Sequence, residues 1–368
     1  MAPLSSTDLT FSRAELLSSH DYAEPLRADD RTCHGGFDEA GGYVSPRTLH
    51  RSPAIAAWAD RHSSAFRTEP LDMPLDRWPE NFPNVDQSKV LLRNGVREPV
   101  IASLTRIGTV EGFGSFLRYT TVPELSACFD DDIAGTATAH LDGGLIEAHA
   151  RDEAGHDGVA GHNEMWFAAR DIAFEHPATQ DQTAIMLERM GIVDRGGSLS
   201  RSLVPPRRLP DAFDHDLELL IDRMVRLMLI EIQAFHTFAW AEELLSDTAL
   251  VAGDGEAARL VSYIRADETP HVEYLRTSLT EMRDRTFRLT DGTTLPGTEV
   301  ISTIWDPALE DNLTTRRAEF VTMMGHELEH ALEGRSDRDD LLDEICSLGA
   351  VRRTAPGVWV DTAAGQVA

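Results

Sequence analysis

Glu268 and His271 stand three residues apart in the stretch SYIRADETPHVEYL (262–275), and Glu153 and His156 repeat that spacing upstream. At about 3.6 residues per turn, side chains at i and i+3 leave a helix on one face, so each pair can offer one metal ion a carboxylate oxygen and an imidazole nitrogen. Burying such a pair bare would be costly, and a cation offsets that cost. Two further glutamates lie in phase with apolar stripes. Glu111 shares a helical face with Val100, Leu104 and Ile107, and Glu231 falls among Met224, Leu227, Met228, Phe235 and Phe238. A carboxylate inside an apolar stripe needs a partner. For Glu231 the alternative to a metal is an ion pair with a nearby Arg such as Arg265, and for Glu111 it is a position at the stripe's edge.

Around these residues stand several with two readings each. His149 is four residues before Glu153 on the same face, either a ligand or a hydrogen-bond partner to a ligand carboxylate. Asp267 is placed to orient His271. Tyr274, one turn beyond His271, is a packed core tyrosine or a hydrogen-bonding neighbour. Glu124, just after Pro123, is a rival to Glu111, and His162 lies nearly two turns past His156 on a different face.

The elements that must position them are read from periodicity and breakers. Residues 1–84 are irregular apart from patches such as 54–66, and are expected to form an extension wrapping the main body. The main domain spans 85–350. Its expected helices cover 96–117, 141–174, 213–245, 257–282 and 316–333, with Pro270 kinking the fourth or breaking a backbone bond near Glu268. Gly108, Gly112 and Gly114 around Glu111 weaken that helix and imply a close neighbour. The Pro- and Gly-rich stretch 176–212 is expected to be a long loop or lid, 286–305 a small hairpin, and the tail 351–368 irregular.

Carboxylate-bridged two-metal sites in helical bundles take a Glu from each of two helices and a Glu-x-x-His from each of two others. The order here is Glu111, Glu153-x-x-His156, Glu231, Glu268-x-x-His271. Over 96–282 the chain therefore resembles the ferritin-like non-haem di-iron oxidases and oxygenases. That resemblance implies an all-α, ferritin-like helical bundle with two irons (Mn/Fe accepts the same ligands), O2 as co-substrate, and hydroxylation, N-oxygenation or desaturation of a small organic molecule. It implies metal ligands at Glu111, Glu153, His156, Glu231, Glu268 and His271, with His149 an addition. The arylamine N-oxygenases of that superfamily carry an extra histidine before their second Glu-x-x-His, where this chain has Ile264. No nucleotide or flavin fingerprint is visible, so electrons are expected from a reductase or from the substrate.

A competing motif is His326-Glu327-Leu328-Glu329-His330, a literal H-E-x-x-H that on a helix could bind zinc for peptide hydrolysis, although no third ligand follows at the usual spacing. A non-catalytic iron-binding protein is the third reading. The formal net charge of −28 opposes binding to nucleic acid or an anionic membrane surface. The three cysteines Cys33, Cys128 and Cys346 form neither C-x-x-C nor an even set, and no signal peptide or membrane span is legible. A cytoplasmic protein, for which a homodimer is allowed, is the expectation.

Overall fold

A computed structural model describes residues 9–177 and 206–363, and the architecture is mostly α. The N-terminal segment begins with the short helix α1 (Arg13–Leu16), started by a reciprocal Ser12/Glu15 capping box. An antiparallel sheet follows in the order β1–β2–β3 (Glu24–Ala28, Arg31–Phe37, Tyr43–Val44), and then α2 (Thr48–Phe66). The expected irregularity is corrected here. These strands are short and interrupted by Gly35 and Gly36, so they show little period-2 alternation.

The body comprises α3 (Val85–Arg93), α4 (Glu98–Gly112), α5 (Leu125–Cys128), α6 (Ile146–Ala154), α7 (His162–Phe174), α8 (His215–Leu245), α9 (Glu256–Asp267) and α10 (Thr269–Arg283). Beyond it come a hairpin, β4–β5 (Thr286–Arg288, Thr294–Pro296), and α11 (Gly297–Asp311), where the hairpin had been expected to fill 286–305. Helices α12 (Arg317–Ala331) and α13 (Arg338–Ser347) follow. The tail is corrected too: 351–361 form the hairpin β6–β7 (Val351–Ala355, Val358–Asp361), turned by Pro356-Gly357, with Trp359 packed on Gly325 of α12. Most of the expected lid, 178–205, lies outside the described residues. Among those described, no helix is long and apolar enough to cross a membrane.

Helix α4 packs on α7, α7 on α9, α9 on α8, and α8 on α10, while α2 covers α10 from the N-terminal side. The close neighbour implied by the glycines is present. Gly108 and Gly112 lie against Phe167 and Asn163 of α7, and Gly114 lies against Glu153. Two apolar clusters result, one around Met224, Met228, Tyr274 and Leu279, the other around Leu104, Trp166, Phe238 and Ile264. Helix α8 contributes to both.

The single helix expected over 141–174 is broken. A π turn, Leu141–Leu145, leads into α6, which stops at Ala154, and α7 starts only at His162. Gly155 (φ 73), Asp157 (φ 51) and Gly158 (φ 78) adopt left-handed backbone that a right-handed helix cannot contain. His156 and Val159 exchange backbone hydrogen bonds of 3.1 and 3.0 Å, and Ala160 pairs with β2 through Ala160 N to Thr32 O and His34 N to Ala160 O, both 2.9 Å. The excursion returns to its point of departure: a Cβ at Gly161 would sit 2.6 Å from Glu153 O and 2.7 Å from Asp152 O. The break expected at Pro270 is also real. It divides α9 from α10 at Glu268, with Pro270 in the first turn of α10, where its missing N–H costs nothing.

Because rigid backbone atoms face Gly161, Gly161→Ala should cost about 1–3 kcal/mol. Thermal unfolding followed by circular dichroism should show Tm lowered by several degrees. An unchanged Tm would contradict so tight a return.

Candidate metal centre

Five helix ends and faces bring the acidic and imidazole side chains to one place. Glu111 ends α4, and its 9% exposure marks the edge of the buried space. His149 and Glu153 project from α6, His162 from the first residue of α7, Glu231 from the middle of α8, and Glu268 and His271 from the α9–α10 junction. Their ligating atoms fall into two groups, each with all atoms within 4.8 Å of one another. One is His149, Glu153, Glu231 and His271; the other is Glu111, Glu153, His162 and Glu268. Glu153 belongs to both.

Six of the seven expected ligands are therefore brought together, and His156 is not. It lies in the excursion, 32% exposed, with Nε2 3.1 Å from Asp157 Oδ2. His162 takes its place. Nine positions separate Glu153 from His162, the expected three plus the six added by the excursion, and the returning chain restores the neighbourhood that unbroken helix would have given. The rival readings resolve as well. Glu124 accepts from Ser126 at the surface, and Arg265 pairs with Glu242 rather than Glu231. The apolar stripe around Glu231 is largely as expected, except that Phe235 is exposed and lies beneath Arg265.

Each histidine turns one ring nitrogen inward and gives the other to an orienting group. His271 Nδ1 is 2.7 Å from Glu268 Oε2 and 3.1 Å from Glu153 Oε1, while Nε2 is 2.9 Å from Asp152 Oδ2. His162 Nδ1 is 3.0 Å from Glu268 Oε1, and its Nε2 is 3.4 Å from Asp267 Oδ2. His149 Nε2 is 3.0 Å from Glu231 Oε1, and Nδ1 is 3.1 Å from the Tyr274 hydroxyl. The His149 and His271 rings stack at 3.7 Å. Asp267 was expected to orient His271; instead each Asp serves the histidine of the other half. Such partners fix the tautomer and direction of a ligand imidazole.

Sequence reasoning missed the groups behind those aspartates. Arg47 Nε donates to Asp152 Oδ1 at 2.6 Å, Arg51 Nη1 is 2.8 Å from Asp152 Oδ2, and the Tyr43 hydroxyl donates to Asp267 Oδ2 at 2.8 Å. All three come from the N-terminal segment. The one available signal was the repeated dipeptide Asp152-Glu153 and Asp267-Glu268, each followed by histidine.

The electrostatics of the protein alone are strained. Burial, then Glu111 and Glu268, pushes the Glu153 carboxyl well above the usual range; burial, with Glu231 and Glu111, does the same to Glu268. Burial would lower His162, but the Glu268 and Glu153 carboxylates outweigh it and raise the imidazole well above its ordinary value. His271 is held low by burial and by His149. For Asp152, burial acts upward but Arg47 and Arg51 prevail, keeping it ionised. An ionised Asp152 accepts from His271 Nε2–H, leaving Nδ1 as a lone pair facing the glutamates. His149 Nε2, His162 Nδ1 and Glu268 Oε1 are fully buried yet make no hydrogen bond. Buried polar atoms without partners are rare, and carboxylate oxygens with imidazole nitrogens form a donor set that suits first-row transition metals. The residues fit a pair of such ions sharing Glu153.

The HELEH residues lie elsewhere, on α12. His326 Nε2 is 3.0 Å from Gly357 O, Glu327 pairs with Arg106, Glu329 accepts from Arg353 and Gly357 N, and His330 is 80% exposed beside Glu333. Neither histidine belongs to a metal-binding group among the described residues. No protein-family model, curated protein or solved structure matches this chain.

Two outcomes follow from the geometry. His162→Ala should weaken binding of ferrous or cobaltous ion at least about tenfold, the scale on which even an orienting partner of a ligand acts. His156→Ala should leave binding unchanged. Calorimetric titration distinguishes them, and the reverse pattern would return the ligand role to His156.

Protonation gives the second. In metal-free protein Glu153, Glu268 and His162, all raised, retain protons that the unfolded chain releases, so their stabilisation is present at low pH and lost as pH rises through the raised values. His271 and Asp152 act oppositely, but their contributions are complete above the ordinary values of 6.5 and 3.8. From pH 6.5 upward the centre should therefore lower the metal-free Tm as pH rises, and metal affinity should increase as those protons are displaced. Melts with and without metal across that range test it. A metal affinity that weakens with rising pH would overturn it.

Proposed function

We propose that this chain is an O2-dependent non-haem di-iron oxidase or oxygenase acting on a small organic substrate, with a helical bundle of ferritin-like type around the centre. The observation that carries the reading is the pair of buried Glu/His groups joined through Glu153. Redox-active metal matches this set better than structural zinc does, because carboxylates outnumber imidazoles and thiolates are absent. When bound, a pair of iron ions would supply the electrons and Lewis acidity that activate O2.

The rest of the chemistry belongs to the chain. Glu111, Glu153, His162 and Glu268 would hold one ion, and His149, Glu153, Glu231 and His271 the other. Asp152 fixes His271 through Nε2–H, and Asp267, itself held by the Tyr43 hydroxyl, faces His162 Nε2. On metal binding the protons held by Glu153 and Glu268 would have to leave, which would free both carboxylates as ligands. Met224, Met228, Phe238, Ile264 and Tyr274 are each at most 3% exposed, so the interior flanking the ligands is dry and apolar. Such walls favour an apolar or aromatic substrate body and keep water from a reactive oxidant. The reducing equivalents would come from a partner reductase or from the substrate.

Anaerobic loading with ferrous ion should give about two irons per chain by elemental analysis, the stoichiometry of such bundles. Admitting O2 should then produce rapid O2 uptake and a visible absorption change. Glu153→Ala should abolish both, since it removes the shared ligand, whereas replacing His326 and His330 together by Ala should leave them intact. One zinc per chain, lost with those two histidines, would instead identify a metallopeptidase. Many irons per chain without O2 turnover would identify an iron-binding protein.

A further inference from the structure

At the opposite end of α10 from His271 lies a cavity of about 210 Å³ between α2, the 131–136 turn and the last turn of α10. Trp58 and Phe66 form apolar walls, and Arg61, His62 and Arg285 bring nitrogen atoms to it. Arg285 is the unusual group. It is 8% exposed, and among the described residues its one side-chain hydrogen bond runs from Nη1 to the backbone oxygen of Glu281 at 2.8 Å. Its buried Nε makes none, and the guanidinium lies 5.0 Å from the Phe66 ring centroid. Arg61, in the same cavity, donates through Nη1 to the backbone oxygens of Ala134 and Gly135. Among the described residues, neither guanidinium has a carboxylate within the 4.0 Å of an ion pair.

The nearby acids are engaged elsewhere. Glu281 accepts from Ala137 N, Thr138 N and the Thr138 hydroxyl. Asp131 accepts from Thr286 N, and Asp132 from Ala134 N. Asp284 is taken by Arg283, His62 and Thr68. A buried guanidinium in the same cavity as a second one, with no ion pair to either among the described residues, is a charge arrangement that folding alone does not favour. Burial lowers the Arg285 pKa and Arg61 adds to that, while the Glu281, Asp131 and Asp284 carboxylates act against it without forming an ion pair. Arg presents a planar donor fork suited to a carboxylate, and Trp58 and Phe66 suit a flat or apolar body. Asp131 and Asp132, exposed at the rim, disfavour a multiply charged anion such as phosphate.

We infer that this cavity is a binding site for a small organic monocarboxylate, held by Arg285 and Arg61 against the Trp58 and Phe66 rings. It is separate from the metal centre. Glu281 stands ten residues beyond His271, about 15 Å along the helix axis at 1.5 Å per residue. The site stands whether or not the centre activates O2.

The test is calorimetric titration of the full chain, stripped of metal with a chelator, with sodium benzoate, sodium acetate and inorganic phosphate at matched ionic strength. Benzoate should bind saturably, one per chain, more tightly than acetate and much more tightly than phosphate. Arg61→Met and Arg285→Met should each weaken it at least about tenfold, the scale of one lost charge-assisted bond. Because Arg285 is buried, its variant is used only if its circular dichroism spectrum is native; Arg61 is only partly buried and decides the matter otherwise. His162→Ala should leave benzoate binding as it was, which separates this site from the metal centre. Absence of saturable benzoate binding, unaltered affinity in Arg61→Met, or tighter binding of phosphate than of benzoate would each overturn the inference.

Discussion

Four glutamates buried within reach of one another set the terms for everything around them. Glu111, Glu153, Glu231 and Glu268 are each at most 9% exposed, and their mutual repulsion in a low-dielectric interior cannot be screened by water. Without cations the protein answers by retaining protons on Glu153 and Glu268 and by charging His162. That answer costs stability, and it leaves polar atoms such as His149 Nε2 with no hydrogen bond. Cations remove both costs at once. That unmet charge is what makes the two groups candidates for holding cations.

Holding such a cluster requires stiffness from outside it. Asp152 and Asp267 each precede a glutamate of the cluster in sequence, yet each faces the histidine contributed by the other half of the site. Movement of either half would disturb the other's histidine. The N-terminal segment completes the brace, with Arg47 and Arg51 on Asp152 and Tyr43 on Asp267. Arg47 even adopts a left-handed φ of 53 at the start of α2. Removing the arginines would leave a carboxylate buried and unpaired, which is expensive. The same segment pins the excursion between α6 and α7 through β2, so one region orients both His271 and the backbone that delivers His162.

How much of this could be read in the sequence follows from the range of the forces involved. Glu111, Glu231, Glu268 and His271 were legible because helix periodicity, a local property, puts a polar group on an apolar stripe or beside its partner. The mostly helical body was legible for the same reason. His162 was not, since regular spacing was extended through Gly155-His156-Asp157-Gly158, where the Asp-Gly pair and flanking glycines signal a turn. Arg47, Arg51 and Tyr43 were beyond reach. Their contacts span more than a hundred residues, and no local pattern encodes a partner that far away. The strands at either end were missed because short, glycine-interrupted or two-stranded segments carry little alternation.

The two histidine motifs on this chain make the underlying point sharply. HELEH has the ideal spacing for zinc, but on α12 its carboxylates are spent on Arg106 and Arg353, and one imidazole meets a backbone oxygen while the other faces solvent. Glu153 and His162 have the wrong spacing for any helical motif, yet they are buried together with their ligating atoms 3.5 Å apart, and neither ring nitrogen of His162 makes a hydrogen bond. What marks these residues as candidate metal ligands is therefore unmet hydrogen-bonding and charge in a buried place. Spacing along a helix is only the commonest way to produce it, and a returning loop closed by Gly155 and Gly161 produces it equally well.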